Sequence, residues 1–235
     1  MIAARGRGGV TGRLRIAVPK GALFADSVQA LAGAGFDTST LADPGRRLIV
    51  ETADADFIIA KPTDVPVYVA YGAADCGIAG KDVLVEAGLE VVELLDLGFG
   101  GCRFVVAESE DATGLDERYA LTGVLRVATK YPRIASAHFA ERGVQIEVVK
   151  LNGNIELAPL IGIADVIVDI TATGTTLRQN RLRIIEDVLP STARFVGNPV
   201  AVRTDERVLA LASALSPGSV ESTEAAAPAP RNESE

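Results

Sequence analysis

The sequence predicts an α/β protein built as two lobes around a cleft. Three observations carry that prediction. Short β-branched runs alternate with segments of helical periodicity, a second such series starts near Cys102, and 235 residues leave about 90–100 for each lobe. Leu14–Val18 reads as the first strand, ended by Pro19-Lys20-Gly21. Asp26 or Ser27 is placed to open a helix in which Phe24, Val28 and Leu31 share a face before Gly33 and Gly35 stop it. Leu48–Val50 is a short apolar run and Phe57–Ala60 a buried-type strand. Asp64 with Pro66 reads as an N-cap with proline in the first turn, so Val65–Tyr71 is a short helix ended by Gly72. Cys76–Ala79 is the next strand, after which Asp82 caps Val83–Ala87 and Gly88 takes the C′ position.

The second series contains strands at Cys102–Ala107, Arg126–Thr129, Ile146–Leu151 and Val166–Ile170, and a last strand at Ala193–Val196. Helices are expected at Ala135–Arg142, Asn154–Leu160 and Leu177–Val188. Residues 1–12 and 216–235, rich in Gly and Arg or in Pro, Ala, Ser and Glu, lack apolar periodicity and are expected to be disordered.

Composition narrows the function. Hydrophobic content of 48% and charged content of 23% are those of a globular chain. A net charge of −8, no Trp and only four Tyr argue against a nucleic-acid binder. No apolar run approaches the roughly 20 residues of a membrane span, and the N-terminus lacks the apolar stretch of a signal peptide, so a cytoplasmic location is expected. Two cysteines, Cys76 and Cys102, and one histidine, His138, do not make a metal cage. Catalytic triad, zinc, Walker and dinucleotide-binding spacings are absent from the sequence.

The most informative stretch is Asp165-Val-Ile-Val-Asp169-Ile-Thr171-Ala172-Thr173-Gly174-Thr175-Thr176-Leu177. A buried strand runs through a hydroxyl-rich loop straight into a helix. Amides at a helix start carry partial positive charge, Gly174 lets the chain wrap closely, and the threonines add hydroxyls. That equipment suits a phosphate monoester; the blander reading is a Thr-capped helix. Asp169, at the strand's end, and Glu156, in the first turn of the helix after Leu151-Asn-Gly-Asn154, are carboxylates suited to the diol of a ribose. Lys20, Lys61 and Lys130 each follow a strand, and Arg46 precedes Leu48–Val50; cations at strand ends stand at a cleft mouth. Gly80, Asp82 and Cys102 join the substrate-binding candidates, with the Gly98–Gly101 run beside Cys102 allowing backbone to approach a flat ring. His138 is expected to be packed or solvent-facing, and Cys76 to lie in the core.

At this level of detail the chain resembles the catalytic subunit of the ATP phosphoribosyltransferase family. The matching blocks are LRIAVPKGAL (14–23), RRLIV (46–50), KPTDVPVYVAYGAADCGIAGKDVLVEAG (61–88), LGFGGCR (97–103), ATKYP (128–132), LNGNIELAPLIGIADVIVDITATGTTLRQN (151–180) and STARFV (191–196). The resemblance implies a fold similar to type II periplasmic binding proteins, crossed twice by the chain. Lobe I would be residues 13–102 plus 193–215, and lobe II residues 103–192 with the phosphoribosyl pyrophosphate site. It implies transfer of the phosphoribosyl group from phosphoribosyl pyrophosphate to N1 of ATP, with Mg²⁺ carried mainly on substrate phosphates. Thr173–Thr176 would hold the 5-phosphate, with Thr171 and Ala172 also counted as substrate-binding, Glu156 and Asp169 the ribose hydroxyls, and Lys20, Lys61 and Arg46 the polyphosphates, with Arg46 reaching toward a neighbouring subunit. Two departures stand out. Ala22 occupies a place where the family commonly has Arg, and Lys61 one where many members carry Arg; the lysine keeps the charge but loses the bidentate fork.

The length is that of the short form. Such a chain resembles the partner of a histidyl-tRNA-synthetase-like regulatory subunit, and a homodimer alone and a hetero-octamer with that subunit are expected. The alternative from another class is a two-lobed small-molecule binding module of the solute-binding type. A type I phosphoribosyltransferase ranks last, because two adjacent acids usually precede the loop there and Val168-Asp169 offers one.

Overall fold

A computed structural model describes residues 12–42 and 45–216. The expectations for residues 1–12 and 216–235 therefore fall outside the described residues, apart from Gly12 and Ser216. In chain order the elements are β1 (Leu14–Pro19), α1 (Phe24–Gly33), α2 (Ser39–Ala42), β2 (Ile49–Glu51), β3 (Ala55–Ala60), α3 (Val65–Ala70), β4 (Cys76–Gly80), α4 (Lys81–Ala87) and β5 (Val92–Asp96). They continue as β6 (Cys102–Ser109), α5 (Leu115–Thr122), β7 (Leu125–Thr129), α6 (Pro132–Glu141), β8 (Ile146–Lys150), α7 (Leu157–Leu160), β9 (Val166–Thr171) and α8 (Thr175–Gln179). The last four are β10 (Leu182–Ser191), β11 (Ala193–Gly197), α9 (Pro199–Thr204) and α10 (Glu206–Ala214).

Two sheets result. The larger runs β2-β3-β1-β4-β11-β5, with β3, β1 and β4 parallel; the smaller runs β10-β6-β9-β7-β8, with β9, β7 and β8 parallel. The chain passes between them twice, between β5 and β6 and again at Thr192, between β10 and β11. Central strands carry continuous apolar runs because both faces are covered: Ile16, Ala17 and Val18 of β1, and Val166, Ile167 and Val168 of β9, are all fully buried. Phe57, Ile78 and Phe195 anchor the core of the larger sheet, and Phe104, Ile134 and Phe139 that of the smaller.

Several elements depart from the sequence reading. The expected helix Leu177–Val188 is a five-residue helix, α8, followed by a strand, β10. Arg181 turns the chain with φ +56°, and β10 then pairs antiparallel with β6 from Leu182↔Ser109 to Ser191↔Cys102. Helix α1 starts at Phe24, continuing a 3₁₀ turn at Gly21–Leu23; Ser27 lies inside it, buried, its hydroxyl donating to the Leu23 carbonyl. Asp64 is the N-cap residue of α3 with Pro66 in the first turn, as read from the sequence, but its side chain makes no cap bond and Pro62–Asp64 forms a 3₁₀ turn ahead of the helix. At α4 the N-cap is Gly80, with Asp82 second in the first turn. Helix α7 is reduced to Leu157–Leu160, because Asn154 takes a left-handed φ of +49°. Strand β5 and helices α2, α5, α9 and α10 were not singled out from the sequence. Asn198 caps α9 by accepting the amides of Val200 and Ala201.

Candidate active site

The parallel strands β7, β8 and β9 deliver their carboxyl ends to one side of the smaller sheet, where open α/β sheets place ligand loops. Beyond β9 the loop is tied to itself. Thr171 Oγ1 accepts the Gly174 amide at 2.8 Å, and the Thr173 and Thr175 hydroxyls are 2.9 Å apart. Arg178 reaches back from α8 to donate to the Thr173 carbonyl (3.1 Å) and the Thr175 hydroxyl (3.2 Å). Gly174 is the hinge of this wrap, with φ +72°; a Cβ there would stand 3.3 Å from Arg178 Nη1 and Ile184 Cδ1. Ala172, Thr173, Thr175 and Thr176 are exposed, so the loop offers amides and hydroxyls to solvent while Leu177 anchors the helix behind it.

Asp169, Glu156 and Lys130 converge beside this loop. Burial pushes the Asp169 carboxyl up to about 6; the Ile170 amide, which donates to it at 2.8 Å, lowers it, Glu156 raises it and Lys130 lowers it. Lys130 is exposed and Glu156 half-buried at the start of α7. The turn bearing Lys130 is fixed by Thr129, whose buried hydroxyl donates to the Val168 carbonyl (2.7 Å) and accepts the Tyr131 amide (2.9 Å).

The larger sheet gathers cations in the same way. Lys20 follows β1 and Lys61 follows the adjacent parallel β3; the Lys20 amide donates to the Ala60 carbonyl at 2.7 Å. Strand β2 is antiparallel to β3, with the Ile59 amide bonded to the Leu48 carbonyl, so Arg46 stands at the same sheet end as Lys61. All three side chains are exposed. Lys81, after β4, is occupied differently, its ammonium 2.6 Å from Glu93.

The two sheets meet where α4 begins. Asp82 is 8% exposed; its carboxylate accepts the Ser191 hydroxyl at 2.8 Å and its amide donates to the same oxygen at 3.0 Å. Ser191 pairs with Cys102 across β10 and β6. Burial, then the Asp82 charge, push the Cys102 thiol up, against a hydrogen bond from Ser191. Tyr131 joins the junction: burial first, then Asp82, Asp169, Cys102 and Glu86, raise its phenol to about 12. A Cβ at Gly80 would sit 2.2 Å from Asp82 Oδ1, so a side chain there would push the Asp82 carboxylate away from Ser191.

Of the residues singled out from the sequence, the structure brings Glu156, Asp169, Lys130 and the loop Thr171–Thr176 together, sets Gly80, Asp82 and Cys102 at the junction, and aligns Lys20, Lys61 and Arg46 on one sheet end. His138 packs with its Nε2 3.3 Å from Glu186, its pKa lowered by burial and then by Arg142, and Cys76 is fully buried. Sequence reasoning missed Arg178, Ser191, Tyr131 and Arg103. Arg103 pairs in register with Thr171, which puts its side chain on the face of the sheet that the loop rises from, where it also meets Asp187. Only the pairing of β6 with β9 reveals it. Two hollows of about 310 and 460 Å³ open elsewhere, one lined by Phe24, Val28 and Thr38, the other by Tyr71, Asn198 and Arg203, and neither includes a candidate site residue. Among the described residues no helix is long and apolar enough to cross a membrane.

Two α/β lobes whose parallel strands end at a common junction define the class: a two-lobed protein of periplasmic-binding-protein type. The family profile "HisG: ATP phosphoribosyltransferase" matches residues 61–217. The ATP phosphoribosyltransferase of Rubrobacter xylanophilus is 51% identical over 186 residues, covering 79% of this chain and 86% of the relative. That of Desulfitobacterium hafniense is also 51% identical, over 81% of this chain and 88% of the relative. The solved ATP phosphoribosyl transferase (HisG:HisZ) complex from Thermotoga maritima contains a chain that superposes with a TM-score of 0.73 at 31% identity, covering 86% of this chain and 96% of the other. The chain belongs to the ATP phosphoribosyltransferase family, and it is a transferase.

Proposed function

We propose that this chain transfers the phosphoribosyl group of phosphoribosyl pyrophosphate to N1 of ATP, releasing pyrophosphate, as the first step of histidine biosynthesis. Family membership supports that reaction. The observation that carries the site is the convergence of Asp169, Glu156 and Lys130 on the self-bonded loop Thr171–Thr176. In our reading, loop amides and hydroxyls bind the 5-phosphate and the two carboxylates accept from the ribose 2- and 3-hydroxyls. Gly80, Asp82 and Cys102 face the nucleotide. Lobe I would comprise residues 13–102 and 193–215, and lobe II residues 103–192, with the substrates between them.

Adenine N1 carries its lone pair at neutral pH and attacks C1 as the bond to pyrophosphate breaks, with cationic character building on the ribose ring. The chain's work is then to hold N1 in line and to neutralise the leaving charge. Lys20, Lys61 and Arg46 are assigned to the polyphosphates. Mg²⁺ enters with those phosphates as part of the substrates and shields their charge; among the described residues no group of three His, Cys, Asp or Glu side chains is arranged to hold such an ion. The partner we propose is a regulatory subunit of the histidyl-tRNA-synthetase-like kind, supported by likeness to the Thermotoga chain solved in a HisG:HisZ complex. A homodimer alone and a hetero-octamer with that subunit, located in the cytoplasm, complete the reading.

The test is direct. Purified chain, ATP, phosphoribosyl pyrophosphate and Mg²⁺, with and without the regulatory subunit, should raise the absorbance of the N1-substituted adenine. Folded protein that yields no adduct with both subunits present would overturn the assignment. A solute-binding module would instead bind a small ligand tightly and ignore phosphoribosyl pyrophosphate.

A further inference from the structure

Helix α6, which carries the turn of Lys130 into the smaller sheet's core, has no cap of its own. Its N-cap, Tyr131, makes no side-chain cap, and Pro132 at the first position has no N–H. The next two amides, of Arg133 and Ile134, are taken by Glu86 of α4, which packs on the other lobe. Arg133 donates at 3.2 and 3.1 Å to the two carboxylate oxygens, and Ile134 at 3.0 Å. The geometry is that of an N-cap supplied in trans by the opposite lobe.

Three further contacts make α4 the piece that joins the lobes. Asp82 binds Ser191 at one end. In the middle, Leu84 packs into the larger sheet's core while Val85 packs against the smaller sheet's core. At the other end the Arg133 guanidinium lies over Gly88, so close that a Cβ there would meet it at 2.5 Å. The turn Thr129–Ile134 is therefore clamped from both sides, by Thr129 within its own lobe and by Glu86 across the junction.

We infer that Glu86 is a positioning residue for the phosphoribosyl site, holding Lys130 beside Asp169 by capping α6 from the other lobe. The pocket is then complete only while the lobes are latched. This rests on the substrate assignment above. Glu86 touches no substrate; it acts through the turn that carries Lys130, and the junction of the lobes sets the strength of the sugar-phosphate grip.

The experiment is calorimetric titration of the full chain with phosphoribosyl pyrophosphate and Mg²⁺. Glu86→Ala should weaken binding roughly tenfold, the loss of a charge-assisted bond to two amides. Glu86→Gln, which keeps an acceptor oxygen at the same reach, should stay within about threefold of the parent, whereas Glu86→Asp, charged but too short, should fall with Ala. In a Lys130→Ala background, Glu86→Ala should add less than about twofold, because both changes remove one effect. Glu86→Ala binding like the parent, Gln failing where Asp succeeds, or full multiplication of the two losses would overturn the inference. If Ala does not fold, the Gln and Asp pair decides. A parent chain that does not bind phosphoribosyl pyrophosphate at all would instead strike the substrate assignment beneath it.

Discussion

Ser191 and Asp82 close a two-bond ring across the junction of the sheets: the Ser191 hydroxyl donates to Asp82 Oδ1 at 2.8 Å and accepts the Asp82 amide at 3.0 Å. Both residues are buried, Ser191 being 2% exposed. Ser191→Ala strips a donor and an acceptor from a carboxylate and an amide that water reaches poorly. The expected cost is about 1–3 kcal/mol, read as a drop of several degrees in Tm. An unchanged Tm would mean that the ring does not join the lobes energetically.

If Asp169 holds the ribose as proposed, its raised carboxyl should make substrate binding pH-dependent. Its folded pKa, about 6, lies above the usual 3.8, so the folded state holds this proton more tightly than the unfolded one. Asp169 therefore favours folding when protonated, and that contribution is lost as pH rises from about 4 to about 6. Binding should run the other way, since in the proposed site the ionised carboxylate is the form that accepts from the ribose hydroxyls. Affinity for phosphoribosyl pyrophosphate should fall as pH drops through the region near 6, and Asp169→Asn should weaken binding strongly and flatten that dependence. Titrations between about pH 5 and 8 check both statements; a parent profile identical to that of Asp169→Asn would contradict them.

The loop offers a backbone test and a side-chain test. Gly174→Ala puts a Cβ on a residue at φ +72°, against Arg178 and Ile184. The expected cost is about 1–2 kcal/mol of strain, concentrated where the phosphate is proposed to sit. Thr175→Val removes a hydroxyl that meets Thr173 and Arg178 while keeping the side chain's shape. Binding of phosphoribosyl pyrophosphate should weaken in both variants, but Tm should fall only with Ala at 174. Equal affinity in Thr175→Val would remove that hydroxyl from the site.

What was legible in the sequence was local. Asp169 and the threonine loop are contiguous, so a strand running into a helix start discloses them without tertiary knowledge. The alternation of elements likewise disclosed the two lobes. Strand β10 was hidden because its residue types do not follow its faces: burial alternates from Leu182 to Val188, yet Ile185 points outward and Glu186 is half-buried against His138 and Arg142. Leu182, Ile185 and Leu189 are then left at helix-like spacing in the sequence. Asp82 looked like a cap because it begins a helix, yet its partner is 109 residues away. Glu86 gave no signal, since a cap supplied from another lobe has no fixed spacing from the helix that it serves.

In the reading proposed above, Lys61 decides how the leaving group is held. It stands at the carboxyl end of β3, exposed, beside Lys20 on the neighbouring strand and near Arg46. An ammonium neutralises charge as a point, whereas a guanidinium at that place would grip two oxygens at once. If Lys61 meets pyrophosphate as it departs, its interaction strengthens in the transition state. Lys61→Ala should then lower kcat by roughly tenfold to a hundredfold, the worth of about 1.5–3 kcal/mol, with little change in KM for ATP. Lys61→Arg should equal or exceed the parent, because the charge returns with a fork. Steady-state kinetics with the regulatory subunit present separate the cases. A rise in KM for ATP at constant kcat would move Lys61 from the leaving group to the bound nucleotide.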